Sequence, residues 1–86
     1  MKNQSMKNVF KVKDFYSAII LRSFNIPILR LEKENNRFVT FIFDSPSTIC
    51  EQILSDFWDR KLKVEPRRFI ENINEIKTRV HETLDS

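Results

Sequence analysis

Residues 28–58 read ILRLEKENNRFVTFIFDSPSTICEQILSDFW, and this run decides the fold. In its first half, Leu29 and Leu31 fall on one side of an extended chain, and Val39, Phe41 and Phe43 fall on one side of a second. Successive side chains of a strand point to opposite faces, so the two runs make a hairpin with one apolar face. A two-residue loop at Asn35-Asn36 would set Phe41 opposite Arg30 and bury a charge. A three-residue loop, Glu34-Asn35-Asn36, sets Leu31 opposite Val39 and Leu29 opposite Phe41, with Asn36 as its left-handed residue. The clean face selects the three-residue loop, because a one-residue slip would invert every side chain. The reverse face carries Ile28, Arg30, Glu32, Phe38, Thr40 and Ile42, a mixed surface open to partial cover.

The second half of the run is helical. Ser45-Pro46 is a start signal, and Thr48 with Glu51 forms an alternative capping box slightly later. Ile49, Cys50, Ile53, Leu54, Phe57 and Trp58 recur at helical spacing and make one apolar stripe, which Asp59-Arg60-Lys61 ends.

Upstream, residues 1–8 are polar and read as a flexible terminus, with one folded domain over residues 9–84. Val9–Lys13 alternates imperfectly and is a candidate edge strand, its lysines discouraging edge-to-edge pairing. Asp14 is a good N-cap for a short, largely apolar helix running to Phe24, which Asn25 closes in the left-handed region. Pro27 returns the chain to extended backbone. Downstream, Pro66 sits where a first helical residue belongs, and Phe69, Ile70, Ile73, Ile76, Val80 and Leu84 define a last helix. The predicted fold is α+β, a small antiparallel sheet against three helices in the order (β)αββαα.

Eighty-six residues hold a single core, and a chain this short leaves about 40% of its unfolded surface exposed. The apolar fraction of 41%, with eight Phe, is too high for a disordered segment. No apolar run approaches the roughly 18 residues of a spanning helix, and MKNQSMKN lacks the apolar core of a secretory signal. The single cysteine, Cys50, excludes an intrachain disulfide and fits a reducing cytoplasm. The chain has no glycine, which excludes the glycine-dependent phosphate loops.

Catalytic chemistry finds little support. His81 has no second histidine or nearby cysteine with which to share a metal. Cys50 lies on an apolar stripe, where a free thiol behaves as a small hydrophobe. Asp56 and Asp59 share a helix face at a spacing common on solvated surfaces. No nucleophile, base and orienting group come together, so we expect no enzyme and no metal or other cofactor.

Charge is more informative. The net charge is +3. Arg60, Lys61, Lys63, Arg67 and Arg68 fall within nine residues around the last connection, and Lys2, Lys7, Lys11 and Lys13 within the first thirteen. Cations on a surface neutralise phosphates, and Phe57, Trp58 and Phe69 lie close by, although their spacing places them in the core first. Arg67 and Arg68 begin a helix, where the dipole disfavours cations, so they read as more than a C-terminal charge complement.

The chain also resembles a family of short uncharacterised bacterial proteins catalogued only as a domain of unknown function. The resemblance runs from Lys11 to Lys77. It rests on Asp14-Phe15-Tyr16, on Glu32 to Arg37 leading into Phe41-Ile42-Phe43-Asp44, on Phe57-Trp58-Asp59, on Val64-Glu65-Pro66-Arg67 with Phe69, and on Ile76-Lys77. The family pattern has glycine where this chain has Asn25, Asn36 and Arg60. Asparagine stands in at the first two turns; arginine does not, so a different turn is expected after Trp58. The resemblance implies a compact bacterial module and no activity.

The functional expectation is a non-enzymatic, cytoplasmic accessory domain that binds nucleic acid through Arg60, Lys61, Lys63, Arg67 and Arg68. The alternative is a protein-interaction or self-associating module using Ile28, Phe38 and Ile42 on the outer hairpin face. No membrane partner is expected.

Overall fold

The computed structural model describes residues 8–85. Its elements are β1 (Val9–Val12), α1 (Phe15–Ser23), β2 (Ile28–Lys33), β3 (Val39–Asp44), α2 (Ser47–Trp58) and α3 (Pro66–Leu84). The three strands form one antiparallel sheet in the order β1-β3-β2. The fold is α+β, and the candidate N-terminal strand forms, pairing Phe10 with Phe43 and Val12 with Phe41. The expected flexible terminus, with Lys2 and Lys7, lies outside the described residues apart from Asn8.

Phe41 and Phe43 of the central strand are fully buried among Ala18, Ile19 and Leu21 of α1, Cys50 of α2 and Ile76 of α3. All three helices therefore cover one face of the sheet. On the other face, Ile42 is also buried, between the exposed Lys11 and Arg30 across the two ladders.

The hairpin register differs from the expected one by two residues. Leu31 faces Phe41 and Lys33 faces Val39, so the connection is five residues long, 34–38. Parity is kept because the apolar pattern dictates which face is buried, and a two-residue shift preserves the face. The longer loop is closed from within. Glu34 N–H donates to the Phe38 carbonyl at 2.9 Å, and Asn35 Oδ1 accepts from the Arg37 and Phe38 amides at 2.8 and 3.1 Å. Asn36 consequently has no left-handed role; Asn25 and Arg60 are the positive-φ residues among those described.

A β-bulge between Ile28 and Arg30 adds a second departure. The extra residue, Leu29, is pushed outward, 49% exposed, and Ile28 turns to the core side opposite Phe43. An inserted residue resets the alternation of a strand, which exchanges the expected sides of these two apolar positions.

The ends of α1 follow its sequence closely. Asp14 Oδ2 accepts from Ser17 N–H at 2.8 Å. At the other end Asn25 sits at φ 68°, its amide donating to the Arg22 carbonyl while Ile26 N–H donates to the Leu21 carbonyl. These two bonds are the Schellman closure of a helix. α2 starts at the Ser45-Pro46 signal, with Pro46 as its N-cap; the alternative box of Thr48 and Glu51 does not form, and no side chain caps the first turn. Glu65 caps α3, accepting from the Arg67 and Arg68 amides at 3.1 and 2.9 Å, with Pro66 in the first turn.

Candidate functional site

The apolar stripe of α2 is wider than the surface it covers. At about 100° per residue, Ile49 and Trp58 stand about 180° apart, with Cys50, Ile53, Leu54 and Phe57 between them. The middle of the stripe packs on the core, and the two edges emerge: Ile49 is 48% and Trp58 62% exposed. Trp58, which its spacing assigned to the core, is a surface residue.

Immediately beyond it the chain turns on Arg60 at φ 65°. Arg60 N–H donates to the Phe57 carbonyl at 3.0 Å and Lys61 N–H to the Asp56 carbonyl at 2.8 Å, the same closure seen after α1. A different turn was expected because arginine pays a Cβ clash in the left-handed region. The geometry is nonetheless the one a glycine would take.

This turn brings Phe57, Trp58, Arg60, Leu62 and Lys63 around an open concavity of about 400 Å³. Phe57 and Trp58 meet edge to face, ring centroids 5.3 Å apart at 84°, on the concavity that Arg60 and Lys63 also line. The lining holds no carboxylate, imidazole or hydroxyl side chain. It presents two aromatic side chains, one leucine and two cations.

The five basic residues expected to act together are divided. Arg60 and Lys63 line the concavity, and Lys61 is exposed between them in sequence. Arg67 pairs with Glu71 at 3.4 Å. Arg68 turns away to α1, donating from Nη1 to Asn25 Oδ1 at 2.7 Å and to the Ser23 carbonyl at 3.3 Å. Its charge lies against a helix C-terminus, a position the helix dipole favours. Of the described N-terminal lysines, Lys11 lies on the outer sheet face and Lys13 lines a separate notch with Arg37.

The three residues of the expected hairpin surface do not share an exposed face. Ile42 is buried, Ile28 packs against the core, and Phe38 alone is exposed, at 62%. Elsewhere, Cys50 is buried and its thiol is pushed up, chiefly by loss of water; a hydrogen bond with Ser45 opposes the shift and Glu51 adds to it. Asp56 accepts from Gln52 at 2.8 Å, and His81 is exposed. No group of three metal-ligating side chains occurs among the described residues. No helix among them is long and apolar enough to cross a membrane.

Sequence reasoning missed Leu62 as part of the concavity wall and took Trp58 for core. The angular position of Trp58 at the margin of its stripe is the signal that marks it as a surface aromatic.

The fold and this site define a small α+β domain carrying an aromatic-cationic surface at a helix-helix turn. The chain belongs to the family described as Domain of unknown function (DUF5659), whose model matches residues 7–82. No curated protein and no solved structure matches it.

Proposed function

We propose that the chain is a non-enzymatic bacterial accessory domain of the cytoplasm that binds single-stranded nucleic acid at the turn between α2 and α3. One observation carries this reading: an exposed tryptophan held beside Arg60 and Lys63 in a concavity with no acidic side chain. An aromatic face accepts an unpaired base, with stacking worth about 1–3 kcal/mol per base, while neighbouring cations take the phosphates. Lys61 and Arg67 extend the positive surface. Arg68 supports it from behind by holding α1 to α3.

The test uses intrinsic fluorescence, because Trp58 is the sole tryptophan. Unlabelled single-stranded oligonucleotides are titrated into the protein at about 50 and 200 mM salt, and labelled ones are followed by anisotropy. Two or three phosphate contacts at about 0.7 counterions each predict affinity lower by about 7- to 20-fold at the higher salt. Binding is expected to quench Trp58 and to vanish in an Arg60→Gln, Lys61→Gln, Lys63→Gln variant. Absence of quenching and of anisotropy change at the lower salt overturns the reading.

A further inference from the structure

We propose a second docking site, at the opposite end of the hairpin from the α1–β2 turn, that takes one apolar side chain of an acidic peptide segment. It is a notch of about 110 Å³ where the start of α1, the hairpin tip and α3 meet. Phe15, Val39, Phe41 and Val80 form its apolar walls, and Lys13, Arg37 and the exposed Phe38 stand around it.

Size and charge identify the occupant. The notch is well below the roughly 300–1,000 Å³ of cofactor and drug sites. It has room for one side chain. Its walls present Phe and Val side chains, which offer no hydrogen-bond partner to the polar edge of a nucleobase; an aliphatic or phenyl group needs none. Lys13 and Arg37 are both exposed, and neither side chain has an ion-pair partner among the described residues. No carboxylate lines the notch to offset them. An arginine fork matches a carboxylate in two parallel hydrogen bonds, so the chemistry asks for Asp or Glu flanking an apolar residue. The loop that carries Arg37 and Phe38 is already closed by the Asn35 side chain and the Glu34–Phe38 bond, which lowers the ordering cost of docking there.

The probe is a labelled heptapeptide with central phenylalanine and three acidic residues on each side, with a central-alanine version and a single-stranded oligonucleotide for comparison. Anisotropy and ¹⁵N–¹H spectra of the full chain are recorded with each. We expect peptide-induced shifts at Phe38, Val39 and Val80, and affinity lower by about tenfold for the alanine peptide and for Arg37→Glu, the loss of one charge-assisted contact or one buried side chain. Phe38→Ala changes an exposed position, so it separates lost contact from lost fold. Equal binding of the two peptides, shifts confined to residues 60–68, an oligonucleotide that perturbs the notch more strongly than the peptide, or no shift at millimolar peptide each overturns the proposal.

Discussion

Arg60 carries a backbone conformation that costs an L-residue with a Cβ about 1–2 kcal/mol. The chain has no glycine, and the two left-handed positions among the described residues fall to Asn25 and Arg60. Asparagine is the better of these two choices. Arg60→Gly is therefore expected to raise stability by about 0.5–1 kcal/mol in urea melts while weakening oligonucleotide binding. A variant that gains stability and keeps full affinity would remove Arg60 from the binding surface. Cys50 gives a second prediction at this scale. Its folded-state pKa lies above the ordinary value, so the unfolded chain gives up the proton first as pH rises. Stability should fall with increasing pH above the ordinary thiol range of about 8.5 and show no contribution from this group below it. In the same samples a thiol reagent should react with the native protein far more slowly than with protein in denaturant. Equal rates would contradict the burial.

Among the elements, α1 and α3 are joined by polar bonds as well as by apolar packing. Ser23 Oγ donates to the Ile19 carbonyl at 2.8 Å and accepts from Asn72 at 3.1 Å, next to the Arg68 contacts with Ser23 and Asn25. Arg22 and Glu75 add a half-buried pair at 3.5 Å, and Glu75 also lies 3.9 Å from Arg79 one turn along α3. Arg68→Ala is expected to cost about 1–3 kcal/mol of stability, the loss of charge-assisted bonds, with little effect on oligonucleotide affinity. A drop in affinity at unchanged stability would reverse that assignment. The order of elements, the cap at Asp14, Pro66 as a first helical residue and the parity of the hairpin were all legible in the sequence, because each rests on local chemistry or strict alternation. The loop length was not, since the amides of Glu34, Asn35, Arg37 and Phe38 bond to the Asn35 side chain or the Phe38 carbonyl, a solution the apolar pattern does not encode. Nor was the bulge at Leu29: two adjacent apolar residues, Ile28 and Leu29, can exchange faces without changing composition. At the site, the concentration of charge was visible, and its division was not. The N-cap geometry of Glu65 and the proximity of α1 direct Arg68 across to Asn25 and Ser23, and sequence spacing does not report proximity between distant elements.

The described residues form a slab, 37 × 35 × 16 Å, one sheet deep and one helix layer deep. Such a molecule has a single layer of packed side chains, and each large one there touches both tiers. Ile76, fully buried, is the α3 residue at its centre. Ile76→Ala should cost about 2–5 kcal/mol, a large part of the roughly 5–15 kcal/mol available to a small domain. Urea denaturation should show one transition at a lowered midpoint with unchanged slope; two transitions would mean that helices and sheet do not share one core. The strand order has a further consequence for how the chain comes to be made. During translation β1 emerges first, yet its neighbour in the ladder is β3, which ends at Asp44, and the core waits longer still for Ile76. While the ribosome adds residues at about 5–20 per second, the early apolar segment Phe15–Phe24 therefore spends seconds without its native cover. The lysines at positions 11 and 13 and the shortness of β1 discourage foreign pairing during that interval, and they keep doing so afterwards, because β1 remains an edge of the closed sheet.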